Sequence, residues 1–71
     1  MKIEYDGTAD ALYITFQTGK VKQSLKVREG IILDIANDGQ LFGLEILDVS
    51  RRIPASELTH LEANLPLKKA S

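Results

Sequence analysis

The sequence predicts an α+β fold: a curved antiparallel β-meander of about five strands with a short C-terminal helix. Three observations predict it. Apolar residues alternate with a period of two through most of residues 2–47, the pattern of half-buried strands. Turn residues interrupt that alternation at Asp6-Gly7, Thr18-Gly19-Lys20, Glu29-Gly30 and Asn37-Asp38-Gly39-Gln40. After Pro54 the period changes, and Leu58, Leu61 and Leu65 recur at intervals of three and four, as on one face of a helix.

The elements follow in order. Ile3 and Tyr5 alternate with Lys2 and Glu4 in an opening strand that Asp6-Gly7 ends, since glycine tolerates the positive φ such a turn often needs. Leu12, Ile14 and Phe16 share one face of a second strand, with Tyr13, Thr15 and Gln17 on the other; β-branched and aromatic residues dominate it. A third strand sets Leu25 and Val27 against Ser24, Lys26 and Arg28. A fourth, residues 31–35, puts Ile31, Leu33 and Ile35 on the core face and Ile32 and Asp34 opposite. Asn37 to Gln40 is a hairpin signal, because Asn, Asp and Gly enter the left-handed region readily. A fifth strand, residues 41–47, presents Phe42, Leu44 and Ile46 together. Asp48 caps a short turn through Arg52, Pro54 opens the helix, and Pro66 ends it.

Seventy-one residues give one domain, read as residues 1–66 with a flexible tail at 67–71. A 44% hydrophobic and 27% charged composition fits a globular chain and neither a disordered nor a membrane protein. The net charge of −1 provides no basic field, so nucleic acid is an unlikely partner. Without cysteine there is no disulfide, thiolate nucleophile or cysteine metal site. The longest apolar run, Ala11 to Ile14, is too short for a membrane span, and the charged start is no signal peptide. A cytoplasmic location is expected.

Tyr5-Asp6, Ala9 to Ile14, Gly30 to Asp34, Asp38-Gly39 and Gly43 to Asp48 form, in this order, a recognisable set. Over roughly residues 1–53 the chain resembles the small bacterial family called domain of unknown function 2283. The resemblance implies a short β-rich protein with no assigned activity, and it brings no catalytic residues. It also implies an antitoxin-like partner role, because such proteins are often encoded beside small toxin-like ones. Gly7 stands where a proline is common in relatives.

Acidic residues are the first candidates for chemistry. Asp34 and Glu45 alternate out of phase with the core and, joined by Glu4, would offer oxygens to a hard cation. That Asp34 or Glu45 pairs with Lys26, Arg28 or Lys2, or is merely solvated, is the simpler expectation. Residues 34–39 lack the flanks and closing Glu of a calcium loop. His60, the single histidine, reads as an exposed helix residue, and Ser24, Ser50 and Ser56 lack a nucleophile-elbow context. Lys20, Lys22, Lys26 and Arg28, then Arg51-Arg52, are local basic clusters without stacking platforms, because Phe16 and Phe42 are needed in the core. No metal or cofactor is expected.

One helix with three leucines cannot cover the apolar face of a five-stranded sheet. Tyr13, Ile32 and Leu41 interrupt the polar face, and with Leu58, Leu61 and Leu65 they are the candidate interface. The expected function is a non-catalytic protein-interaction module, partnered by itself as a homodimer or by another small protein. A ligand- or metal-binding protein using the acidic face is the alternative, and a nucleic-acid binder is the weaker one.

Overall fold

The structure, a computed structural model, describes residues 1–60 and residue 62. It contains β1 (Lys2–Asp6), β2 (Ala11–Thr15), β3 (Val21–Arg28), β4 (Ile31–Ala36) and β5 (Leu41–Leu47). A 3-10 turn (Val49–Arg51) and the helix α1 (Ala55–Leu58) follow. The five strands form one open sheet in the order β1-β2-β5-β4-β3, with every neighbouring pair antiparallel. Among the described residues the fold is mostly β.

The strand order corrects the expected meander. β5 returns to lie between β2 and β4, and the chain after β2 crosses to the opposite edge to begin β3. The exchange is physical. Pairing β2 with β5 sets Leu12 opposite Ile46 and Ile14 opposite Leu44, whereas in β3 five of eight residues, Lys22, Gln23, Ser24, Lys26 and Arg28, are polar or charged. The apolar strands therefore take the centre and the polar strand an edge. The crossing segment is fastened as it leaves β2: the Phe16 amide donates to the Phe42 carbonyl at 2.8 Å and the Gln17 amide group to the Leu41 carbonyl at 2.7 Å.

The register defines two faces. Ile3, Ile14, Leu44, Leu33 and Leu25 lie abreast across all five strands, and Tyr5, Leu12, Ile46, Ile31 and Arg28 form the adjoining row. These two rows are the apolar face. On the opposite face the rows are Glu4, Tyr13, Glu45, Ile32 and Lys26, then Lys2, Thr15, Gly43, Asp34 and Ser24. Among the described residues only Ala36 and Val49 are buried apolar side chains. Every residue of β1 and β3 is exposed. No helix among the described residues is long and apolar enough to cross a membrane.

The turns divide their labour differently from the sequence expectation. Gly7 does not take the positive φ; Asp10 does, at 55°, while the Asp6 carboxylate accepts the amides of Thr8 and Ala9 at 3.0 and 3.2 Å. The hairpin at Asn37 to Gln40 forms as read, with Gly39 at φ 86° and the Ala36 amide bonded to the Gln40 carbonyl.

α1 is shorter than the leucine spacing predicts. Thr59 ends it with φ −92° and ψ 0°, and its hydroxyl donates to the Ser56 carbonyl at 3.1 Å, a local bond that competes with continuing the main-chain ladder. Leu61 and Leu65, and the tail expected at 67–71, lie outside the described residues. Asp48 occupies the position before the 3-10 turn but makes no side-chain cap; its φ is 53°.

Gly30 shows how the C-terminal segment is pinned. It sits at φ 82°, and an added Cβ would meet the Arg52 guanidinium, which donates to the carbonyls of Leu47 and Glu29 at 2.8 Å each. Gly39 has nearly the same φ and open space around it. Gly39→Ala should therefore cost about 1–2 kcal/mol for backbone strain alone, and Gly30→Ala about 1–2 kcal/mol more, as Arg52 loses its carbonyl partners. Urea unfolding of both variants checks this, and equal midpoints would remove the role given to Arg52.

Candidate functional site

The polar face carries a hydrogen-bonded crossing. Tyr13 on β2 donates its hydroxyl to Asp34 Oδ2 on β4 at 2.5 Å, and Ser24 on β3 donates to Asp34 Oδ1 at 2.6 Å. The phenol must pass over β5 to do so, and it passes at Gly43. A Cβ there would meet the Tyr13 hydroxyl and come within 3.0 Å of the Ile14 carbonyl. The ring can cross only a strand position that has no side chain. Burial pushes the Tyr13 hydroxyl up to about 12, helped by the bond to Asp34 and by the charges of Asp34 and Glu45. Tyr13 is consequently a neutral donor at physiological pH, not a base.

The acidic residues share this face without converging. Tyr13 separates Glu4 from Glu45, and both oxygens of Asp34 already accept hydroxyls. Among the described residues no group of three His, Asp or Glu is placed to hold a metal ion. The expected pairing of Asp34 with Lys26 or Arg28 gives way to hydroxyl donors, because Ser24 lies directly opposite Asp34 while Lys26 faces Ile32. Lys26 pairs instead with Glu29 at 3.1 Å, and Lys2 with Glu4 at 3.7 Å, both on the surface. A shallow groove of about 480 Å³ runs between Glu4, Tyr13, Glu45 and the Asp6-Gly7 turn.

A second cluster lies at the start of β2. The Asp10 carboxylate accepts the Tyr5 hydroxyl at 3.1 Å, the Ser50 hydroxyl at 2.8 Å and the Ser50 amide at 3.1 Å. Its carbonyl accepts the Val49 amide at 3.0 Å. Asp10 thus ties the 3-10 turn to the first hairpin and seats Val49, the one fully buried large side chain among the described residues. The Ser50 hydroxyl holds the Asp10 carboxyl below its ordinary range against the opposing effect of burial, with the Ser50 amide, Tyr5 and Arg51 adding to it.

The apolar face is covered at one side. Ile53 and Leu58 stand over Ile3, Leu12 and Ile14 around an apolar pocket of about 210 Å³. Toward β3 the face is open among the described residues, with Leu25 45% exposed.

The described candidate interface residues, Tyr13, Ile32, Leu41 and Leu58, do not form one patch. Tyr13 and Ile32 are half-buried on the polar face, in the row that Glu4 and Lys26 flank. Leu41 sits at the start of β5, where the register against β4 shifts, and is 46% exposed. Leu58 belongs to the apolar face. His60 is exposed, with Nε2 3.4 Å from Glu62 Oε1. Arg52, read as half of a basic pair, is occupied with main-chain carbonyls, and Arg51 lies 3.9 Å from Asp48. Sequence reading missed the Asp10–Ser50 bonds and the partnership of Gly43 with Tyr13. Each joins residues at least 30 positions apart, and alternation carries no information about such pairs.

These elements define an antiparallel five-stranded mostly-β domain closed by a short helical segment. The chain belongs to the family described as "Protein of unknown function (DUF2283)", which matches residues 2–50. The match includes all five strands and reaches Ser50, the partner of Asp10. The chain is also 39% identical over 51 residues to a Methanosarcina mazei protein named "Putative hypoxanthine phosphoribosyltransferase". That alignment covers 72% of this chain and 41% of the relative, so the chain accounts for less than half of the relative's length. No solved structure gives a significant match.

Two titrations follow. Tyr13 is raised above its ordinary value of 10, so its contribution to stability is complete below pH 10 and is lost as pH rises toward about 12. Ultraviolet titration should show a tyrosine component near 12 that Tyr13→Phe abolishes; its presence in the variant would refute the assignment. Asp10 is lowered, so its contribution is present above the unfolded carboxyl value of 3.8 and is lost as pH falls through the lower folded value. Asp10→Asn, which tolerates the left-handed backbone, should flatten the acid limb of the stability curve. An unchanged acid limb in thermal melts would count against the Ser50 bonds.

Proposed function

We propose that the chain is a non-catalytic protein-interaction module that receives a partner on the open part of its apolar sheet face, around Leu25 and Leu33. The supporting observation is the row Ile3, Ile14, Leu44, Leu33 and Leu25, which among the described residues is capped at the β1–β2 side and uncapped at β3. Burying the remaining exposure of a leucine contributes on the order of 1 kcal/mol, and a continuous apolar row is the kind of surface a partner covers. An antitoxin-like pairing with a small toxin is the finer form of this reading. It draws on the family resemblance and not on any residue of the site.

The polar face supports an enzyme or metal reading less well. Each oxygen of the Asp34 carboxylate already accepts a hydroxyl, from Tyr13 and from Ser24, and the raised Tyr13 hydroxyl is a poor base. Phosphoribosyl transfer, the activity in the name of the Methanosarcina mazei relative, would need a phosphate-cradling loop, and the glycines here are dispersed among separate turns and strands.

The test is recovery of the tagged chain from its own cells beside Leu25→Asp, a substitution at an exposed position that should leave the melting temperature within a few degrees. The wild-type chain should carry a second polypeptide at fixed stoichiometry and the variant should not. A partner toxic when expressed alone would support the antitoxin form. Equal recovery by both, or a wild-type chain that carries none, would overturn the reading.

A further inference from the structure

The two edges of the sheet differ in a way that concerns self-pairing, a matter separate from the partner-binding face. β3 is guarded. Its register against β4 shifts twice, between Val21 and Gln23 and between Lys26 and Arg28, and bulges of this kind turn an edge away from further strands. It also carries Lys22, Lys26 and Arg28. An antiparallel pair of β3 strands centred on Ser24 would oppose Lys22 with Lys26; one centred on Leu25 would oppose Lys22 with Arg28. Like charges directly opposite are destabilising.

β1 lacks the register shifts, and its one basic residue, Lys2, is matched by Glu4. It pairs with β2 without a register shift, and among the described residues no strand lies along its outer edge. Met1, Ile3 and Tyr5 are 83%, 41% and 49% exposed. Lys2 and Glu4 project from the other face, two residues apart and both exposed.

We propose that two copies of the chain pair antiparallel through β1, about a twofold axis at Ile3, to make one sheet of ten strands. Antiparallel strands related by a twofold axis keep each face continuous, so the register must be centred on a residue. Three centres are available within the strand. Centring on Tyr5 opposes Glu4 with Asp6 on both sides of the axis, and centring on Glu4 opposes Lys2 with Asp6 but sets the Glu4 carboxylate against itself at the axis. Centring on Ile3 opposes Lys2 of each copy with Glu4 of the other, Ile3 with Ile3, and Tyr5 with Met1. Opposite charges then alternate along and across the strands on one face, and apolar side chains meet on the other. The apolar pocket beneath Ile53 and Leu58 includes Ile3, so the pair sets two such pockets side by side across the axis. Five paired residues bury less than a standard interface, and the dimer is correspondingly weak.

Charge exchange tests the register. Sedimentation of the wild-type chain up to about 1 mM should show a monomer–dimer equilibrium. Lys2→Glu and Glu4→Lys should each raise the dissociation constant about tenfold or more, and the double exchange should restore it. Because the chain has no cysteine, I3C should form a disulfide-linked dimer under mild oxidation while Q23C on β3 should not. A chain monomeric at all concentrations, a dimer indifferent to the single reversals, or cross-linking at Gln23 in place of Ile3 would overturn the proposal. Leu25→Asp lies on the opposite edge strand, so loss of partner binding in that variant and loss of self-pairing in these are separable.

Discussion

The ladder between β2 and β5 is the constraint on which the rest depends. Without it the molecule is a β1–β2 hairpin and a separate β3–β4–β5 meander, each with an unprotected apolar face. With it, Ile14 and Leu44 become the middle of a row that crosses the sheet, and Leu12 and Ile46 the middle of the next. Two side-chain devices reinforce the seam from opposite sides. Tyr13 reaches over β5 to Asp34 on the polar face, and Asp10 holds Ser50 beyond the end of β5. Both are paired polar groups in partly screened positions, and both fix alignment as much as they add stability.

Much of this was legible in the residues, and the reasons are specific. Five strands followed from alternation and from Gly39 and Gly30, because both the twofold period and positive φ are local properties. The order of those strands was not, because Leu12 and Ile14 could be matched by any apolar strand and only comparison among candidates favours β5 over β3. Gly43 is the clearest example of the limit. In the sequence it is a gap in an apolar strand, and its purpose appears only once Tyr13 is seen passing across it. The helix likewise stops at Leu58, short of what the leucine spacing predicts, a stop that spacing alone does not reveal.

The site followed the same division. Residues chosen for being apolar on a polar face, Tyr13 and Ile32, do share a row, yet the Tyr13 hydroxyl is committed to Asp34. The acidic residues chosen for sharing a face also share it, but alignment along a strand is not convergence on a point. The exposed apolar surface among the described residues lies on the other side, around Leu25, on the face that the sequence pattern already gave too little helix to cover.

The placement of β5 also sets the order in which contacts are affordable during folding. Leu33 and Leu44 meet across a loop of 11 residues, whereas Thr15 and Gly43 are 28 apart and Ala11 and Leu47 are 36 apart. Closing the longer loop costs about 1 kcal/mol more in chain entropy. The β4–β5 hairpin, with its compact turn at Gly39, is therefore the cheap nucleus, and the first hairpin joins it late. Until it joins, β5 is an edge, and Gly43 leaves in that edge the notch into which Tyr13 later fits.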